Sequence, residues 1–167
     1  MPQDGENARR ITDYWNAQLQ PKGVRVLLLK KCAKTGACLV YVFRPKRLER
    51  IMTSAESRNF LAKYGYPLSD TPEGLLSRLS DRLCLEEDFP HEIGVFLDYP
   101  LEDVVGFIEH KGQNYVCGGL WKCYADPSAR KKLFDTYKKC TRLLTERLDR
   151  GFPLPALTVS AQAGNGF

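Results

Sequence analysis

The stretch from Val24 to Phe43 constrains the fold most. Two runs rich in valine, leucine and aromatics, VRVLLLKKC (24–32) and ACLVYVF (37–43), flank a short Ala-Lys-Thr-Gly link. Strand-forming runs closed by a short glycine-bearing link read as a β-hairpin. Their near-continuous apolar character implies that both faces are at least partly covered.

The covering elements read as helices. Residues 6–19 place Ile11, Tyr14, Trp15 and Leu19 on one stripe. Pro45 opens a short basic helix over about 45–52. Thr53, with Glu56 three residues on, has the form of a capping box for the next helix, and Gly65 ends it. Thr71-Pro72 starts a helix with Leu75, Leu76, Leu79 and Leu83 on one face. A helix from about Pro90 to Leu97 follows, then a break at Tyr99-Pro100. The next helix, 101–111, has Val104, Phe107 and Ile108 on its buried side and Gly112 at its end.

YVCGGLWKCY (115–124) reads as a third strand. Asp126-Pro127 caps a last helix, 127–150, in which Leu133, Tyr137, Cys140, Leu144 and Leu148 recur at helical spacing before Gly151. The expectation is a single α+β domain over 1–151. It has a small, mainly antiparallel sheet of about three strands, including the hairpin, packed with six to seven helices. The segment 152–167 has no period and many small residues and is expected to be a flexible tail.

No apolar run approaches the roughly 20 residues that a membrane span needs. The start, MPQDGENARR, has no apolar leader core, so the expected compartment is the cytoplasm. There the six cysteines are thiols or ligands rather than staples. None forms a CxxC pair, which argues against a zinc ribbon. The net charge of +5 permits nucleic-acid contact without demanding it.

The segments PHEIGVFLDYP and DVVGFIEHKGQNYVCGGLWKCY resemble a bacterial family, the domain of unknown function 3793. The resemblance rests on a Pro-His-Glu motif, Pro90-His91-Glu92, and a Leu-Gly-Tyr-Pro motif, here Leu97-Asp98-Tyr99-Pro100. It rests also on GGLWKCY, similar to a Gly-Tyr-Trp-Lys-Val-Tyr segment with Leu120 and Cys123 as changes, and on the hairpin upstream. It spans roughly residues 20–150. Asp98 stands where the motif has glycine. The resemblance implies no assigned activity. It implies a link to iron or redox chemistry, because relatives lie near flavodoxin and ferrous-iron uptake genes. Many members carry a further N-terminal segment with a Cys-Ala-Pro-Thr-like motif, and a copy without it is expected to lack part of any activity that uses that cysteine.

Pro-His-Glu is the first candidate site. A proline and a carboxylate in a first helical turn need no function. His91 is different, because the positive end of a helix disfavours imidazolium. A neutral imidazole there suits a metal ligand or a general base. Glu92 is its candidate partner, both in catalysis and as a second metal ligand. The surrounding carboxylates Glu86, Glu87, Asp88 and Asp98 offer oxygen ligands, or simply form a solvated loop. His91 and Glu92 are neighbours, about 100° apart on a regular helix, and chelate one ion poorly by themselves.

Cys117, beside Gly118-Gly119, is a candidate nucleophile with His91 as base; Cys84 is an alternative thiol. Along one extended strand Cys117 and Cys123 stand roughly 20 Å apart. Cys32 and Cys38 bracket the hairpin turn and offer a redox pair, or are ordinary strand residues. Tyr99, Gly118, Gly119, Trp121 and Lys122 are candidate ligand contacts, with Trp121 as a shelf for a planar ligand or as plain core. Lys30, Lys31, Lys34, Arg44, Lys46, Arg47 and Arg50 cluster around the hairpin. They suit a phosphate backbone or a solvated surface.

Three readings of function follow. The first is a small-ligand or metal-binding protein built on Pro-His-Glu, its cofactor not named by the sequence beyond a metal ion. The second is a thiol-dependent enzyme with a cysteine activated by His91. The third is an interaction protein that meets nucleic acid or an acidic partner through the basic hairpin face. Partners are otherwise unspecified.

Overall fold

The computed structural model describes residues 3–32, 36–67, 71–85 and 88–160. The chain is α+β, with helices dominant and two small antiparallel sheets. It divides into two compact units. One comprises the chain up to Pro90 with the segment from Thr158, the other His91–Leu157.

In the first unit, α1 (Gln3–Leu19) leads through a 3-10 turn (Gln20–Lys22) and left-handed Gly23 into β1 (Arg25–Lys31). β1 pairs with β2 (Cys38–Phe43) from Arg25↔Phe43 to Lys31↔Cys38, with an irregularity between Leu28 and Lys30. This is the expected hairpin. Helices α1 and α4 (Pro72–Leu85) pack on β1. Leu19, Val24 and Val26 form a buried cluster on which Trp15 packs, whereas Ile11 and Tyr14 of the expected stripe are exposed. On the α4 side, Ser80 Oγ donates to Leu29 O at 2.5 Å and Lys30 Nζ donates to Leu83 O.

α4 buries the four leucines that its spacing predicts, with Leu79 fully enclosed. Burying one such side chain contributes about 1.5–3 kcal/mol. It starts where Thr71-Pro72 puts it, with Gly74 N donating to Thr71 Oγ1 at 3.3 Å. The helices α2 (Pro45–Thr53) and α3 (Ala55–Ala62) fall where proline and cap signals put them. The cap itself is Ser54, whose hydroxyl accepts from Ser57 N at 3.2 Å. Thr53 still belongs to α2 and its hydroxyl donates to Arg50 O.

In the second unit, the helix expected from Pro90 shrinks to one turn, α5 (Ile93–Phe96), with Glu92 at its N-cap. α6 (Leu101–Glu109) follows. The expected third strand is instead a tight hairpin. β3 (Cys117–Gly118) turns through Gly119–Trp121 into β4 (Lys122–Cys123). α7 (Pro127–Asp149) starts at Asp126, whose carboxylate accepts from Ala129 N at 3.0 Å. Phe134 is its buried residue, and Tyr137, Cys140, Leu144 and Leu148 are exposed rather than core. Part of the expected flexible tail is structured. Leu154–Leu157 forms α8, and Val159 O accepts from Arg44 Nη2 at 2.6 Å in the first unit. Residues 161–167 lie outside the described residues.

Candidate functional site

The second unit brings most of the candidate residues together. Tyr99, from the turn after α5, stacks on Trp121 at 4.4 Å between ring centroids, with planes 20° apart. Phe134 meets Trp121 edge-on at 4.6 Å. The indole face expected as a ligand shelf therefore carries Tyr99. His91 packs on Phe107 at 4.8 Å, and Lys122 Nζ lies 5.9 Å from the same ring and 5.1 Å from that of Tyr115. Lys122 also donates to Gly112 O at 2.7 Å, which fixes the ammonium beside both rings.

The glycines earn their places by packing. A Cβ on Gly119 would lie 2.3 Å from Phe134, and one on Gly106 would lie 2.4 Å from Tyr124. Real Cβ atoms do not come that close, so these backbones are where rings rest. Gly118 is freer, its nearest neighbour being Tyr115 at 3.4 Å.

Asp103 anchors the hairpin, and sequence reasoning missed it. The residue is 2% exposed. Its carboxylate accepts from Trp121 Nε1 at 2.9 Å, Tyr124 N at 2.8 Å, Ala125 N at 3.3 Å and Arg130 Nε at 2.7 Å. Arg130 also pairs with Glu102 at 2.5 Å. Burial by itself would push the Asp103 carboxyl up. The hydrogen bonds from Trp121, Tyr124 and Arg130 outweigh it and hold the group below its ordinary value. In sequence Asp103 looks like one more first-turn carboxylate, and its arginine stands 27 residues away.

His91 and Glu92 part company. His91 is exposed, while Glu92 is 1% exposed and turned inward. A four-residue helix carries little macrodipole, so the expected helix-end field at His91 has no long helix behind it. Among the described residues no group of three or more His, Cys, Asp or Glu side chains is close enough to hold a metal ion. Glu86 and Glu87 lie outside the described residues. Asp98, in the position where the resemblance expects glycine, has φ 62°, a left-handed backbone that glycine adopts freely and aspartate tolerates.

The two cysteine pairs exchange roles. Cys38 is registered with Lys31, and Cys32 N donates to Ala37 O. With a side-chain period of two, Cys32 and Cys38 thus point to opposite faces. Cys117 and Cys123 are direct partners across the second hairpin, not strand residues far apart. The missed signal was Gly118-Gly119 inside an apolar run, a dipeptide that marks turns. Cys84 is exposed at the end of α4.

The basic hairpin face is partly consumed. Lys30 donates to Leu83 O, and Arg44 to Lys22 O at 3.0 Å and to Val159 O. Lys34 lies outside the described residues. The first unit also has an open groove of about 780 Å³ lined by α1, β1, α2 and α4, with Arg9, Asp13, Asn16 and Ser80 among its polar groups.

A family model described as a protein of unknown function, DUF3793, matches residues 3–158. The chain belongs to the DUF3793 family. No curated protein and no solved structure matches it. The DUF3793 match takes in both units, so hairpins, aromatic stack and Asp103 all lie inside the family's extent. No helix of the described residues is long and apolar enough to cross a membrane.

Proposed function

We propose that this DUF3793 chain binds a small anionic ligand, a carboxylate or phosphate carried on an apolar body, at the surface made by His91, Phe107, Tyr115 and Lys122. The observation that supports the reading is the convergence of His91 and Lys122, 31 residues apart in sequence, on the single ring of Phe107. A fixed ammonium and an imidazole beside the half-buried Phe107 ring and the exposed Tyr115 ring supply charge for the anion and flat apolar surface for its body. The same ammonium opposes a metal cation at His91, and Glu92 faces inward. Within the small-ligand or metal reading, the anion is therefore favoured.

The chain has two histidines, which makes the test direct. Phenyl phosphate and inorganic phosphate are titrated into the protein while the imidazole C–H resonances are followed by NMR. His91 is expected to shift saturably, more strongly with phenyl phosphate, while His110 stays still. Lys122→Ala should weaken the binding about tenfold, a loss of about 1.4 kcal/mol. An immobile His91, or equal titration in Lys122→Ala, defeats the reading. Elemental analysis of wild type beside His91→Ala checks the rival: a metal held by the first and lost by the second would reinstate metal binding.

A further inference from the structure

We propose that Cys117 and Cys123 are a reversible dithiol–disulfide pair, a redox-modification site on the β3–β4 hairpin that is oxidised by low-molecular-weight disulfides. The two residues are direct antiparallel partners. Opposed residues in such a ladder have Cα atoms about 4.5–5.5 Å apart, inside the roughly 4.4–6.8 Å that a disulfide spans. Opposed side chains also share a face of the ribbon. That register sets the two side chains next to each other, and Cys123 Sγ donates to Trp121 O at 3.8 Å.

The pair is asymmetric in the way that thiol–disulfide exchange requires. Cys117 is half-buried and open to a reagent, and Cys123 is fully enclosed behind it. Burial, the hydrogen bond with Cys117 and the charge of Cys117 push the Cys123 thiol up to about 12. Cys117 is therefore the attacking sulfur. Its thiolate attacks one sulfur of the small disulfide RSSR. A Cys117–S–S–R bond forms, the S–S bond of RSSR breaks, and the other half leaves as RS⁻ and takes a proton from water. Cys117 then no longer carries a thiolate, which removes its own share in holding the Cys123 proton and leaves burial and the charge of Asp103. Cys123 gives up that proton and attacks the Cys117 sulfur, and the second RS⁻ leaves and is protonated. Two electrons and two thiol hydrogens pass from the protein to RSSR, giving one protein disulfide and two RSH.

The other hairpin supplies an internal control, since Cys32 and Cys38 lie on opposite faces of their ribbon. The proposal is independent of the anion surface, although Lys122 sits between the two cysteines in sequence.

The sequence makes the test simple. Trypsin cuts after Lys122, so the disulfide joins peptide 112–122 to peptide 123–130. The full chain is equilibrated without oxygen in glutathione buffers of increasing oxidised fraction. It is then quenched in acid, alkylated, digested unreduced and weighed by mass spectrometry. The expected result is a linked 112–122/123–130 species, two hydrogens lighter than its parts. It should rise with oxidised glutathione, reverse with reduced glutathione, and outweigh every other cysteine pairing. Cys117→Ser should abolish it. The proposal is overturned if both cysteines are fully alkylated in every buffer. It is equally overturned if Cys117 stops at a glutathione adduct that Cys123 never displaces, or if a Cys32–Cys38 link forms more readily. Because the mapping is done on wild type, a poorly folded variant does not blur the outcome.

Discussion

The two hairpins of this chain are built on opposite principles. β1–β2 runs through at least six registered pairs and takes its cover from α1 and α4. β3–β4 has two registered pairs. So short a ribbon does not hold itself in water. It is held by what it touches: the Asp103 carboxylate, the Tyr99 and Phe134 rings against Trp121, and Lys122 on Gly112. The long hairpin is specified by its own residues, the short one by its surroundings. Their glycines show the same division. Gly36, in the first turn, has φ 72° and open space around it, so it is needed for backbone shape. Gly119, in the second, is needed for the room it leaves to Phe134.

The largest effect should come from removing the short hairpin's anchor. Asp103→Asn leaves Arg130 only the exposed Glu102 carboxylate and sets an amide NH2 against buried N–H donors, and is expected to cost about 3–5 kcal/mol in chemical denaturation. Hydrogen exchange should show protection lost first at 116–125, with β1–β2 retained. Simultaneous, equal loss in both hairpins would break the comparison. The pH dependence follows from the lowered Asp103 carboxyl. A depressed folded value stabilises the fold above the unfolded carboxyl range, near pH about 3.9. That contribution is lost as pH falls through the folded value. Wild type should therefore lose stability more steeply in acid than Asp103→Asn, as thermal melts between neutral pH and acid will show.

Next in size is Gly119→Ala. Driving a methyl group into Phe134 should cost about 1–3 kcal/mol, and Phe134→Leu in the same chain should recover part of it. Gly36→Ala, which meets no neighbour, should cost about 1 kcal/mol through its left-handed backbone alone. Phe134→Leu should not rescue it. A double-mutant cycle measures both couplings; coupling of Gly36 to Phe134, or none for Gly119, would contradict the division between shape and space.

The smallest effect concerns the residue after β4. The Tyr124 hydroxyl is buried without a hydrogen-bond partner among the described residues. Tyr124→Phe removes that unsatisfied group and should stabilise the second unit by about 1 kcal/mol. A clear loss of stability would mean that the hydroxyl has a partner in solution.

Local signals carried much of the fold. Runs rich in valine, leucine and aromatics around a glycine-bearing link gave β1–β2, proline and cap residues gave the starts of α2, α4 and α7, and leucine spacing gave the buried face of α4. These rest on interactions within a few residues, which a sequence displays directly. The same logic failed where neighbours overruled it. YVCGGLWKCY has a strand's composition, yet its two glycines let it fold back because Asp103 and Phe134 wait to receive the turn. Tyr137, Leu144 and Leu148 have helical spacing, yet periodicity does not say that a partner is present to cover them. At the candidate site, sequence reasoning named His91, Tyr99, Trp121 and Lys122 but not Phe107, the ring on which His91 and Lys122 meet, nor Asp103 and Arg130.

The sequence by itself determined the first hairpin, the starts of α2, α4 and α7, the family, and the residues worth suspecting. Tertiary structure alone decided that Cys117 faces Cys123, that Cys32 does not face Cys38, and that a first-turn aspartate is the buried centre of the second unit. The physical reason is register and burial. Both depend on which distant groups close around a segment, and a one-residue change in pairing reverses every side chain on a ribbon.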